Sequence, residues 1–365
     1  MDKLKVGIIG CGSIATDKHM PALSLIEEVK IAAFFDINQE CAKKAASHFG
    51  IEGAKVYSHV DELLSDKDID VVHICTTVNT HADLSIKAME AGKHVMCEKP
   101  MAASVEEAKK MVETAKRTGK KLTIGCQNRF REDTQYLKKV CERGDLGEIY
   151  YAKALALRRR AVPGWLLVSK EDQGGGPLMD IGTHALDITL WMMDNFKPKS
   201  VLGKTYSKLA GRENEANMWG PWDPEKFFIP ESAFGFITME NGATVILESS
   251  WALNIRKPYE ARTLLCGTEG GADITDGLWI NGTEYGEFYE KHITTERIIN
   301  FGLYDVDFTN RSKYGEAGNL ETKRWIESIL YDKELVVKPE QTLVVFQILE
   351  AIKESASLGK PVYFE

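Results

Sequence analysis

"LKVGIIGCGSIA", residues 4–15, decides the fold. A short run of Val, Ile and Leu ends in Gly10-x-Gly12-x-x-Ala15, so a buried strand closes on a glycine turn and a helix opens directly after it. Gly10 serves the tight turn, Gly12 leaves backbone open to an approaching phosphate, and the small Ala15 lets helix meet strand. Ser13 and Ile14 fall at the start of that helix, where free N–H groups and the macrodipole favour negative charge. Taken alone, these glycines also suit an ordinary tight turn. The partner they need is Asp36, which ends the next apolar run, "IAAFFD", 21 residues after Ala15. A carboxylate there accepts hydrogen bonds from ribose hydroxyls and repels the extra phosphate of NADP, and no arginine follows closely. The pattern predicts NAD in preference to NADP; the competing role for Asp36 is as the turn former of "DIN".

Outward from this motif, "IAAFFD" (31–36), "DIDVVHICT" (68–76), "HVMCEKP" (94–100) and "KLTIGC" (121–126) are further apolar runs, separated by stretches of helical period such as "QECAKKAASHF" and "SVEEAKKMVETAKRTG". Strict strand and helix alternation predicts an α/β Rossmann domain, a doubly wound parallel sheet, over residues 1–125. Beyond it the rhythm changes. One strong helical segment at 177–193 is followed by "SVLGKTY", "SAFGFITME", "GATVILESSWAL" and "ARTLLCGT", joined by Asn-Gly and Gly-Gly turns, and then by a helical tail. Residues 126–365 are therefore expected to form an α+β domain with a large, mainly antiparallel open sheet.

Composition narrows the function. With 44% hydrophobic and 27% charged residues in 365, the chain has the make-up of a soluble globular protein, and no apolar stretch approaches the roughly 20 residues a membrane span needs. A leader-like reading of "MDKLKVGIIGCGSIA" is spoiled by glycines at 7, 10 and 12. A net charge of −8 would repel a phosphate backbone, so no nucleic-acid partner is expected. The seven cysteines are scattered without a C-x-x-C pair, which argues against a disulfide framework and a zinc site and fits a reducing cytoplasm.

Two constellations carry chemistry. Glu98 and Lys99 stand where the "HVMC" strand stops, and ligands of open parallel sheets bind beyond strand carboxyl ends. A Lys99 ammonium there would stabilise a developing alkoxide, with Pro100 fixing its backbone; a solvated surface ion pair has the same sequence appearance. In "GGGPLMDIGTHALDITLWMMD" (174–194), Asp180 and His184 are four apart on one helical face, with Asp187 near them. A carboxylate so placed can orient an imidazole that takes a hydroxyl proton. A polar helix face at a domain boundary has the same pattern.

Taken together, "GIIGCGSIA", "HICTTVNTHADLSIKAMEAGKHVMCEKPMA" (73–102), "QNRF" (127–130) and "GGGPLMDIGTHALD" (174–187) make the chain resemble the Gfo/Idh/MocA family of NAD(P)-dependent oxidoreductases, named after glucose-fructose oxidoreductase and inositol dehydrogenase. The resemblance implies an active site in the cleft between the domains, with Lys99, Asp180 and His184 as the catalytic group. It adds Thr76, Asn79, His81, Glu98, Lys99 and Gln127 to the glycine loop and Asp36 as cofactor residues. Asn79 and His81 suit helix capping equally well. Family members often have proline after the fourth-strand threonine, where this chain has Thr77-Val78-Asn79.

The substrate implied by the resemblance is a carbohydrate or polyol, held by Lys99, Arg129, Arg158, Trp165, Asp180 and His184. Arg158 with Arg159 and Arg160 also reads as a solvated basic edge or a subunit contact. The long aromatic segment 211–232 would cap the cleft or cover a neighbouring subunit. The expected activity is dehydrogenation of a ring hydroxyl of a sugar, glycoside or cyclitol. The alternatives are a glycosidase that retains NAD and acts by transient oxidation and elimination, and a protein that senses NAD(H). A homo-oligomer, dimer or tetramer, follows by analogy through the open sheet.

Overall fold

The computed structural model describes residues 3–164, 175–212, 216–294 and 315–364. The chain forms two compact units, Met1–Phe130 with Asp305–Leu343, and Arg131–Tyr304 with Val344–Glu365. The first unit thus combines an N-terminal stretch with a segment near the C-terminus.

The first unit is built on β1 (Leu4–Ile9), β2 (Val29–Phe35), β3 (Lys55–Val56), β4 (Val71–Ile74), β5 (His94–Cys97) and β6 (Leu122–Ile124). All are parallel, in the order β3-β2-β1-β4-β5-β6. Between them run α1 (Met20–Ser24), entered through a π-helical turn at Ala15–His19, then α2 (Gln39–Phe49), α3 (Val60–Ser65), α4 (Val78–Glu90) and α5 (Val105–Thr118). β4 is buried at every position, which is why its sequence is a continuous apolar run rather than an alternating one. Helix limits follow local chemistry: the Ser104 hydroxyl accepts the Glu107 N–H at the start of α5, and Gly119 ends it at φ 66°. Val6, Ile8, Phe34, Val71 and Met96 form part of the core. Trp325 and Ile326 complete it, from the returning helix at Gly315–Leu330. Strand order reverses on either side of β1, so the crevice beyond its carboxyl end lies at the topological switch point.

The second unit contains α6 (Glu132–Glu142), β7 (Ile149–Leu157), a π-helical turn at Leu178–Gly182 leading into α7 (Thr183–Met193), β8 (Pro198–Tyr206), β9 (Ser232–Met239), β10 (Thr244–Ser250), β11 (Tyr259–Gly267), β12 (Gly270–Asp273), β13 (Leu278–Glu284), β14 (Glu287–Ile293) and β15 (Val362–Tyr363). With the returning helix as α8, the last helix is α9 (Pro339–Leu358). The nine strands make one mixed sheet, β14-β13-β12-β11-β7-β10-β9-β8-β15, in which β7 and β10 are parallel and the other pairs antiparallel. One face is covered by helices. A Cβ at Gly203 of β8 would fall 2.2 Å from the Ile352 carbonyl oxygen, so glycine is what lets the α9 backbone reach the sheet. On the other face Leu202 and Phe236, paired across β8 and β9, are each 49% exposed.

Candidate active site

The carboxyl edge of the first sheet gathers most of the residues singled out in the sequence. Gly10 has φ 87°, and a Cβ there would meet the Cys75 carbonyl group at 2.8 Å, so both the turn and the packing demand glycine. Gly12 has nothing within 4 Å of an added Cβ, and it and Ser13 are exposed while Ala15 is fully buried. Asp36 is pinned beside this loop: Cys11 N–H donates to Oδ2 and Asn38 N–H to Oδ1, each at 2.7 Å. Each oxygen keeps a further lone pair for a hydroxyl donor. The Cys11 thiol is pushed up to about 12 by burial and then by the Asp36 charge, so it serves packing rather than nucleophilic chemistry.

At the end of β6 the Gln127 side-chain oxygen is buried and has no hydrogen-bond partner among the described residues. An open glycine loop, a fixed carboxylate at the β2 end and an orphaned acceptor beyond β6 fit a dinucleotide. Gly10, Gly12, Ser13, Ile14 and Asp36 would hold its phosphates and ribose.

Glu98 follows β5 directly. Its Oε1 receives the fully buried Lys18 Nζ at 2.7 Å and His19 Nε2 at 2.8 Å, while Lys18 also pairs with Glu321 of α8 at 2.8 Å. Lys99 contributes its backbone N–H to Oε2 at 3.1 Å, leaving its side chain half-exposed. Burial pushes the Glu98 carboxyl up, but the Lys18 ammonium and then His19 outweigh it and hold it well below the usual carboxylate range. His19 and His73 are both held below their ordinary value by burial, so both are neutral. His19 must then donate through Nε2 to Glu98, and His73 Nδ1–H donates to His19 Nδ1 at 2.9 Å. Glu98 is thus an enclosed carboxylate, 5% exposed.

His81 and Arg129 also sit inside. His81 is 1% exposed, its Nδ1 2.8 Å from the Pro100 carbonyl oxygen and its Nε2 3.1 Å from that of Thr76. It ties together the loops after β4 and β5 from behind, whereas Thr76 is half-exposed and Asn79 exposed in the first turn of α4. Arg129, expected at the substrate, lies in the interior. It is 0% exposed, and its Nη1 donates to the Val336 carbonyl at 2.9 Å and to Gln341 Oε1 at 2.7 Å. Its guanidinium anchors the returning segment.

In the second unit Asp180 lies in the π-helical turn and His184 one turn on, at the start of α7, both half-exposed. Asp187 is 2% exposed in the same helix. Asp180 Oδ2 accepts from Trp251 Nε1 at 2.9 Å and lies 3.4 Å from Arg158 Nη1. Arg158 also donates to Glu260 at 2.5 Å and stacks 4.7 Å over the Trp219 ring. Arg158 is therefore matched by two carboxylates, Asp180 and Glu260. Trp165 lies outside the described residues, as do 213–215 of the aromatic segment. Lys18, Glu321, Trp251 and Glu260 had no motif to mark them. Only the adjacency of Lys18 and His19 to the glycine loop was a usable signal.

Among the described residues no group of acidic, histidine or cysteine side chains is arranged to hold a metal ion, and no helix is long and apolar enough to cross a membrane. Residues 4–126 match a family model described as an oxidoreductase family with an NAD-binding Rossmann fold, and residues 134–273 match the GFO/IDH/MocA C-terminal domain. D-glucoside 3-dehydrogenase of Escherichia coli (strain K12) is 38% identical over 363 residues, 98% of this chain and 97% of that protein. Glucose-6-phosphate 3-dehydrogenase of Bacillus subtilis (strain 168) is 32% identical over 220 residues, 58% of this chain and 60% of that protein. A levoglucosan dehydrogenase solved with NADH and levoglucosan has the same fold, with a TM-score of 0.82 at 24% identity over 99% of both chains. From the glycine loop to the second sheet, this chain belongs to the Gfo/Idh/MocA family of NAD-binding oxidoreductases.

Proposed function

We propose that the protein transfers hydride between NAD and a ring secondary hydroxyl of a sugar, glycoside or cyclitol, with C3 of a hexopyranoside the first candidate. The observation that carries this is the 38% identity with D-glucoside 3-dehydrogenase along almost the whole of both chains. Lys99, beyond β5 with its backbone fixed by Glu98, would donate to the substrate oxygen as negative charge develops on it. His184 would take the hydroxyl proton, and Asp180, itself held by Trp251 and Arg158, would set the imidazole's orientation. Bound NAD supplies the hydride acceptor. Because the guanidinium bonded to Asp180 is already matched by two carboxylates, a neutral polyhydroxy ring suits this site better than a phosphorylated one.

Incubation of the enzyme and NAD with methyl glucosides, inositols and glucose 6-phosphate tests this. Net NADH with the neutral compounds, above that with glucose 6-phosphate, is the expected result. Aglycone release without net NADH would replace it with the retained-NAD glycosidase, and no redox change with any compound would favour an NAD(H) sensor. The exposed Leu202 and Phe236 also support a second copy of the chain on the uncovered sheet face. A monomer by light scattering would contradict that part.

A further inference from the structure

The Glu98 carboxylate is fixed from several directions. Lys18 and His19 engage Oε1 at 2.7 and 2.8 Å, and Oε2 holds the Lys99 backbone N–H at 3.1 Å. Gly125, just beyond β6, makes room for it. A Cβ at that position would lie 2.9 Å from Oε1 and 3.0 Å from Oε2, closer than such contacts allow. Lys18 is in turn fixed by Glu321, contributed by the returning helix α8. A charge-neutral core would have packed this space without five ionisable groups. Lys18 and His19 instead converge on the Glu98 carboxylate, Glu321 backs Lys18 and His73 backs His19, and the second Glu98 oxygen holds the backbone N–H of the residue after it.

We propose that Lys18, Glu98 and Glu321 are positioning residues for Lys99, with Gly125 shaping the pocket that keeps the Glu98 carboxylate in register. The proposal rests on the reading of Lys99 as the donor to the substrate oxygen. It assigns α8 a part in catalysis that its distance along the chain from every motif conceals. A donor displaced by on the order of 1 Å loses about 10²-fold in rate, so small movements of the carboxylate should be read out in turnover.

The test is a set of double-mutant cycles measured as kcat and as NAD Kd. Gly125→Ala keeps every charge and presses on the carboxylate; Glu321→Gln removes the outer carboxylate; Glu98→Gln removes the central one. In the wild-type background each should lower kcat by about ten-fold or more while NAD Kd stays within about three-fold. In the Lys99→Ala background the same changes should cost almost nothing further, because the residue they position is gone. Equal losses in both backgrounds would overturn the proposal and leave a purely structural ion cluster. Near-normal turnover of Lys99→Ala by itself would instead sink the underlying reading of Lys99. If Glu98→Gln fails to fold, Gly125→Ala and Glu321→Gln decide.

Discussion

The Trp251 indole N–H donates to Asp180 Oδ2 across 2.9 Å, from a side chain that is completely buried at the end of β10. A bond to a charged acceptor from a buried donor is worth about 1.5–3 kcal/mol. Trp251→Phe keeps most of the packing and removes only that donor. Turnover should fall by about ten-fold or more, with NAD Kd unchanged. Wild-type turnover in this variant would show that Asp180 does not need the bond.

His184 is expected to accept the substrate proton, and only a neutral imidazole can do so. The oxidation rate should therefore rise with pH through the histidine's titration, and His184→Ala should abolish that limb as well as most of the rate. Removing the Asp180 charge in Asp180→Asn should move the limb to lower pH, because a nearby carboxylate favours imidazolium. A pH profile in His184→Ala that matches the wild type would hand the base role to another group.

Asp36 is held at the end of β2 by two backbone N–H groups, beside Ile37, which is 94% exposed. The pair Asp36→Ser with Ile37→Arg should shift the ratio of kcat/KM for NAD over NADP towards NADP by at least about ten-fold. A wild-type enzyme already preferring NADP would mean that the carboxylate does not face the ribose.

His19 and His73 are buried neutral, with titration pushed below the ordinary value of 6.5. For a base whose folded pKa is depressed, the unfolded chain binds more protons once the pH drops below about 6.5, so stability falls with pH in that window. The urea midpoint should decline between about pH 7 and pH 5, and His73→Asn should decline less steeply. Identical slopes for the two proteins would show that His73 is charged in the folded state.

The parts of this molecule legible in the sequence were those written in short-range patterns. β4 and β6 are buried throughout and β1, β2 and β5 over most of their length, and all five read as apolar runs. The glycine loop, Asp36, Glu98-Lys99 and Asp180-His184 each lie within one strand–turn–helix step. β13 and β14 escaped because their residues are mostly exposed, and β3 because it is two residues long. The place of α8 was invisible for a different reason. An amphipathic stripe ending in Trp325 and Ile326 says that a core exists for it, not which core. The Lys18–Glu98–Glu321 cluster joins residues far apart in sequence, and no local pattern marked Arg129 as buried.

The central claim is that hydride leaves a ring carbon for NAD, and it can be followed atom by atom. A methyl glucoside carrying deuterium only at C3 should deliver that deuterium to the reduced cofactor, with a matching slowing of turnover if the transfer limits the rate. Reduced cofactor free of deuterium would place the oxidised carbon elsewhere on the ring. Complete retention of deuterium in the sugar with no cofactor reduction would contradict the account.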